Sequence, residues 1–277
     1  MASLPSHEPM TTTPSSGPHT RPEPGDSYVQ SFARGLEVIR SFSAQSPRQT
    51  LTEVAGRTGL SRAGARRILL TLQTLGYVRS DGKLFQLTPR ILDLGFAYLS
   101  SLPFWNLAEP VMEALVEEVK ESCSAAVLDG TDIVYVLRMP THKIMSISLG
   151  VGSRLPAYCT SMGRMLLSAL PEAELMQRLQ ASERAARTRF TVTDVKELAA
   201  RIAQVHQQGW SLVDQELEEG LVSMAAPITD RAGQTVAALN ISGQANRSSA
   251  RVMQDTMLPP LLAAARSISR MLSLQLA

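Results

Sequence analysis

Residues 50–76 read TLTEVAGRTGLSRAGARRILLTLQTLG, and the helix starts and stops within this stretch decide the fold of the N-terminal part. Thr50 and Glu53 stand three apart, the spacing at which a hydroxyl and a carboxylate reciprocally satisfy orphan amides at a helix start. The short helix they open, Leu51 to Thr58, meets Gly59, a residue that takes a positive φ at little cost. Ser61 is a second N-cap. The apolar positions Ile68, Leu69, Leu72 and Leu75 carry the next helix to Gly76, suited to a left-handed helix end. Ala55 is small where the two helices cross, and Val54, Leu60, Ala65 and Ile68 supply their shared contact. Two helices joined by a glycine turn make a helix-turn-helix, whose second helix enters the DNA major groove.

The flanks complete the unit. Upstream, Phe32, Leu36, Ile39 and Phe42 recur at helical spacing from Tyr28 to about Gln45–Pro47. Downstream, Tyr77 to Arg79 and Lys83 to Leu87 flank Asp81-Gly82 and predict a hairpin with a tight primed turn, a wing. Arginines and amide donors hold phosphates, while the N-terminal residues of a recognition helix reach base edges. The DNA-facing candidates are therefore Arg34, Thr50, Ser61, Arg62, Ala63, Arg66 and Arg67, with Arg79 and Lys83 on the wing. Gly64 is a mild defect near the helix start, costing about 1 kcal/mol against alanine. Charge agrees with this placement. Residues 28–90 hold ten Lys/Arg against Glu37, Glu53 and Asp81, a net +7, whereas 91–277 carries −3 and 1–27 carries −2. A basic module attached to a mildly acidic one is the footprint of polyanion binding.

Composition bounds the rest. A chain of 277 residues with 44% hydrophobic and 19% charged residues has room for two ordinary domains. No apolar run reaches the roughly 18–20 residues of a membrane span. The N-terminus lacks the pattern of a secretory signal, and two cysteines make neither a disulfide framework nor a metal site. A soluble protein of the reducing cytoplasm is expected, with no membrane association. Residues 1–27, with Pro5, Pro9, Pro14, Pro18, Pro22 and Pro24, read as a disordered tail.

Thr88-Pro89 opens a linker helix over about 89–101, apolar on more than one face through Ile91, Leu92, Leu94, Phe96, Tyr98 and Leu99. Such a helix is expected to pack against a second subunit or the next domain. Beyond it the sequence predicts a helix near 107–121, strands near 123–128, 133–139 and 144–149, and a loop over 150–156. A helix over 161–169 and two further helices follow. Strands near 210–214, 221–228 and 235–242 lead to a closing helix over 248–274. Hairpin-linked strands among helices predict an α+β architecture, an antiparallel sheet flanked by helices. The domain reading is 28–88 winged helix-turn-helix, 89–102 linker helix and 103–277 sensing domain.

This order resembles the IclR-type transcriptional regulators. The resemblance covers about 28–275 and rests on Ser31-Phe-Ala-Arg-Gly-Leu-Glu-Val38, Leu51-Thr-Glu-Val-Ala55 and Leu75-Gly-Tyr-Val78. In the sensing half it rests on Leu155-Pro-Ala-Tyr-Cys-Thr-Ser-Met-Gly-Arg-Met-Leu-Leu167 and Leu239-Asn-Ile-Ser-Gly243. Residues 87–101, 128–136 and 154–158 look most similar to the subgroup controlling the β-ketoadipate route of aromatic-acid breakdown. The resemblance implies a GAF-like effector domain, operator DNA as partner, homodimers often paired into tetramers, and no cofactor. It also implies an effector of the protocatechuate, 4-hydroxybenzoate, muconate or β-ketoadipate class. By the family pattern the effector pocket uses Ser161, Met162, Asp214, Ser223, Asn240 and Ser242. Relatives differ at the Met162 position, and some carry cysteine where this chain has Ser223.

Residue chemistry supports a carboxylate separately. Free amides at the helix start Thr160-Ser161-Met162-Gly163 favour an anion. Tyr158 and Cys159 stand beside it, and Arg154 or Arg138 is available to pair with a carboxylate. An enzyme finds no G-x-S-x-G elbow, P-loop or G-x-G-x-x-G; the four histidines do not cluster; and Cys159, though placed for a lowered pKa, lacks a histidine partner. A winged helix fused to a biotin ligase would need a glycine- and arginine-rich loop. An all-helical GntR-like effector domain does not fit three β-rich stretches. An IclR-type regulator of another carbon-source pathway is the alternative within the family.

Overall fold

The computed structural model describes residues 25, 27–102, 104–141, 149–247 and 249–275. The expected tail, apart from residues 25 and 27, and most of the expected strand 144–149 lie outside the described residues. The chain forms two compact units that divide after Leu102.

In the N-terminal unit, α1 (Gln30–Arg40) precedes β1 (Gln49–Thr50), α2 (Leu51–Thr58), α3 (Arg62–Thr74), β2 (Val78–Ser80), β3 (Leu84–Leu87) and α4 (Leu92–Leu99). The capping box forms as its spacing dictates: Thr50 accepts from the Glu53 amide, and Glu53 Oε2 accepts from the Thr50 amide at 2.7 Å. Gly59 closes α2 at φ +65°. Ser61 caps α3, accepting from the Gly64 amide. Val38, Val54, Ala55, Ala65, Leu69, Leu72 and Val78 make the core. The wing is a three-stranded sheet in the order β1-β3-β2, because Gln49 and Thr50 pair with Phe85 and Leu84. Its turn is longer than a two-residue primed turn. Asp81 Oδ1 accepts from the amides of both Lys83 and Leu84, at 3.0 and 2.8 Å, and so stabilises a three-residue loop. Thr88 caps a single 3₁₀ turn, Pro89–Ile91, before α4 begins.

The C-terminal unit runs α5 (Trp105–Val119), β4 (Ser122–Asp129), β5 (Asp132–Met139), β6 (Arg154–Pro156), α6 (Ser161–Leu167), α7 (Glu172–Ala181) and α8 (Val195–Gln208). It continues with β7 (Ser211–Asp214), β8 (Leu221–Thr229), β9 (Thr235–Gln244), α9 (Ala250–Thr256) and α10 (Leu258–Gln275). The six strands form one antiparallel sheet, β6-β5-β4-β9-β8-β7. β6 occupies the end of the stretch expected to be loop. The closing helix is two helices, since Pro259 and Pro260 lack amides and sit where only a helix's first turn tolerates them. On the sheet face that carries Ala126, Tyr135, Ala225 and Ala238, α6, α7 and α8 contribute Met162, Met165, Leu166, Leu179, Leu198 and Ile202 to one apolar cluster. α5 and α10 pack against each other and against the sheet. The Thr229 amide donates to Ser269 on α10 at 2.9 Å.

Candidate functional site

In the N-terminal unit Arg62, Ala63, Arg66 and Arg67 are exposed on α3, and Arg34 is exposed on α1. None of these arginines forms an ion pair among the described residues. Thr50 and Ser61 are engaged as caps, so their contribution runs through the placement of α2 and α3. On the wing, Arg79 lies opposite Gln86, whose amide oxygen accepts from its guanidinium at 2.6 and 2.7 Å once the amide is oriented to suit. Lys83 is exposed at the wing tip beside the Arg48–Asp81 ion pair. The result is a cationic recognition helix flanked by a cationic hairpin.

The second site is a cavity of about 30 Å³ in the C-terminal unit. Its lining comes from three sources. The sheet supplies Tyr135, Arg138, Ser223, Asn240 and Ser242; the start of α6 supplies Thr160, Ser161 and Met162; Leu149, Leu217 and Leu221 close it. Strand register explains the sheet's share. Arg138, Ser124, Asn240 and Ala225 oppose one another across β5, β4, β9 and β8, and Ser122, Ser242 and Ser223 form the next row. Paired residues point to one face. Tyr135 joins that face although it is three residues from Arg138. The register of β5 shifts there, with Leu137 opposite Ala125 and Tyr135 opposite Ala126, which leaves Val136 as the extra residue of a bulge.

The polar groups are unequally committed. Asn240 Oδ1 accepts from the Ser124 amide at 3.0 Å and its Nδ2 donates to Ser242 at 2.9 Å, so its work is largely to orient the Ser242 hydroxyl. Arg138 has no carboxylate partner among the described residues. Burial pushes the Tyr135 phenol up to about 12, with Arg138 pulling the other way, so it stays a neutral donor. Thr160 accepts from the Gly163 amide and donates to the Pro156 carbonyl at 3.0 Å, holding the turn into α6.

Thus Ser161, Met162, Ser223, Asn240 and Ser242 come together with Arg138. Other expected residues are placed elsewhere. Arg154 sits on edge strand β6, paired to Asp129 at 2.6 Å and Asp132 at 3.3 Å. Asp214 opposes Val222, one residue out of phase with Ser223, and is exposed. Tyr158 is buried with its hydroxyl donating to the Ala185 carbonyl at 2.6 Å. Cys159 is buried in the apolar cluster; burial pushes its thiol up to about 11, the reverse of nucleophile activation. Tyr135, Leu149, Leu217 and Leu221 are lining residues that the sequence does not single out, and Thr160 enters it only as part of the helix start. Only Tyr135 and Thr160 carried a signal, through strand alternation and helix capping. Among the described residues no three His, Cys, Asp or Glu side chains gather as metal ligands would, and no helix is long and apolar enough to cross a membrane.

Comparison with known proteins bears on both sites. Residues 31–82 match the model of the IclR helix-turn-helix domain, and residues 96–270 match that of the bacterial transcriptional regulator IclR C-terminal domain. The chain is 44% identical over 246 residues to the Pca regulon regulatory protein of Pseudomonas putida, covering 88% of this chain and 84% of that one. Among solved structures, a transcriptional regulator from Rhodococcus sp. RHA1 is 49% identical with a TM-score of 0.81, over 88% of this chain and 98% of the other. An IclR homologue from Microbacterium hydrocarbonoxydans, solved in complex with 4-hydroxybenzoate, is 25% identical with a TM-score of 0.77, over 87% and 98% of the two chains.

Proposed function

This chain belongs to the IclR family of bacterial transcriptional regulators, and from that premise we propose that it controls genes of aromatic-acid catabolism in response to a hydroxylated aromatic carboxylate bound between the sheet and α6. The observation that carries the reading is the pairing of Arg138, a cation without an acidic partner among the described residues, with the Ser242 and Ser223 hydroxyls two and three strands away. Strands stand about 4.8 Å apart, so the cavity is cationic at one end and hydroxylic at the other. Tyr135, Leu149, Met162, Leu217 and Leu221 make its apolar walls. A carboxylate and a ring hydroxyl on opposite sides of one aromatic ring complement that layout. The homologue that holds 4-hydroxybenzoate supports the same effector class, and the relative that regulates the Pca regulon supports the catabolic target.

A cavity of about 30 Å³ has room for roughly two waters, so a ring enters only if the walls part. Met162, with a flexible thioether, is the wall best able to move. Titration calorimetry with 4-hydroxybenzoate, protocatechuate, muconate and β-ketoadipate tests the reading. 4-Hydroxybenzoate or protocatechuate should bind, and Arg138→Gln should weaken it by about thirty-fold or more, the scale of a lost charge-assisted hydrogen bond. Binding of neither ring acid, or equal binding by the variant, would overturn it. The four open the choice between a ring acid and its ring-opened product.

A further inference from the structure

Two apolar walls of the cavity lie next in sequence to the two halves of one buried ion pair. Arg164 follows Met162 by two residues on α6, and Glu216 immediately precedes Leu217. The Arg164 guanidinium lies 2.6 Å from Glu216 Oε2, with the side chains only 3% and 4% exposed. Further bonds fasten both partners. Arg164 Nε donates to the Tyr158 carbonyl at 2.9 Å; Glu216 Oε2 accepts from the Val192 amide at 3.1 Å; Arg201 approaches Oε1 at 3.4 Å. The Glu216 carbonyl accepts from the Thr191 hydroxyl at 2.6 Å. The Gln215 carbonyl, at a residue held at φ +60°, accepts from Thr188 at 2.7 Å. The loop 215–220 is therefore anchored on its buried side while it presents Leu217 to the cavity.

Stability alone gives little reason for this arrangement. Burying two charges carries a desolvation cost that their attraction barely offsets, and packed apolar residues of equal volume often serve stability as well. What a short charge-assisted hydrogen bond adds is a defined separation between the elements it joins. We infer that the Arg164–Glu216 pair sets the distance between Met162 and Leu217, and with it the size of aromatic acid the cavity admits. The inference rests on the effector reading above. Neither side chain lines the cavity, so both are positioning residues.

The test is the ratio of dissociation constants for 6-hydroxy-2-naphthoate and 4-hydroxybenzoate, measured calorimetrically on the full chain. Glu216→Asp keeps the charge but shortens the arm by one methylene, drawing the loop toward α6. Glu216→Gln keeps the length and removes the charge, freeing the loop. The ratio should move in opposite directions, by about ten-fold each, with the Asp variant disfavouring the larger acid. Thr191→Val severs the hydroxyl tether to the Glu216 carbonyl, and with it the acceptor of the Arg187 and Thr188 amides, and should shift the ratio as the Gln variant does, by a smaller factor, even if Glu216→Gln fails to fold. A uniform loss of affinity for both acids, or an unchanged ratio in the Asp and Val variants, would overturn the inference. If the unaltered chain binds neither of these acids nor protocatechuate, the effector reading falls instead. Amide hydrogen exchange then decides: faster exchange at Met162 and Leu217 together in Thr191→Val supports the coupling, and acceleration confined to residues 187–192 overturns it.

Discussion

At Gly163 a Cβ atom would stand 2.2 Å from the carbonyl oxygen of Ala157 and 2.3 Å from its Cα. Both are backbone atoms that cannot swing aside, so this glycine is required by close approach rather than by its φ. Gly163→Ala should destabilise the effector-binding unit by about 3 kcal/mol, at the upper end for an overpacked site. It should also displace Ser161 and Met162 and weaken effector binding. Denaturant unfolding checks this, and a cost near zero would mean that the loop before α6 is free to retreat. The opposite kind of residue effect occurs at Glu53 and Asp81, both fully exposed. The Thr50 backbone amide, and after it the Thr50 hydroxyl at 2.8 Å, hold the Glu53 carboxyl below its ordinary value of 4.5. The amides of Leu84 and then Lys83 hold Asp81 below 3.8. A depressed carboxylate pKa stabilises the fold above the unfolded value, and that stabilisation is lost as pH falls through the folded one. The DNA-binding unit should therefore lose stability below about pH 4.5. Thr50→Ala, which removes a cap of about 1 kcal/mol, should leave a shallower acid slope in pH-dependent melting.

Elements decide what those residues can do together. α3 places Arg62, Arg66 and Arg67 on solvent while Ala65, Leu69 and Leu72 are buried, so its charge is available to DNA without cost to the core. Arg66→Ala and Arg67→Ala should each weaken operator binding and lower the slope of log affinity against log salt by about one, with the melting temperature nearly unchanged. Fluorescence anisotropy across a salt series measures both, and unchanged binding in both variants would remove α3 from the interface. In the effector-binding unit the bulge at Val136 does comparable work. Without it Arg138 would point to the sheet face opposite Tyr135, and the cavity would lose its cation.

At the scale of the whole molecule, α4 shows Leu92, Leu94, Phe96 and Tyr98 with exposures of 69%, 51%, 58% and 49%. Apolar exposure this dense on one helix marks an association surface. The expected outcome is a homodimer, or a pair of dimers, seen by size-exclusion with light scattering as a multiple of the 30.1 kDa chain. Leu92→Glu with Phe96→Glu should return it to one chain mass, and a monomeric unaltered protein would contradict that expectation. Dimers would also match a two-fold operator with half-sites a helical turn or a multiple apart. What the sequence determined by itself was governed by near neighbours along the chain: the capping box at Thr50, the left-handed stop at Gly59, the basic face of α3, and the alternation that announces an antiparallel sheet. Those signals act within about four residues, so they survive without tertiary context. Which of the candidate residues share the cavity was decided by the tertiary structure. Strand register and one bulge chose Arg138 over Arg154 and turned Asp214 away from Ser223, and the buried Arg164–Glu216 pair joined segments 52 residues apart. Side-chain direction reverses with each residue of a strand, and pairing partners lie far apart in sequence, so such choices exist only once the sheet has formed.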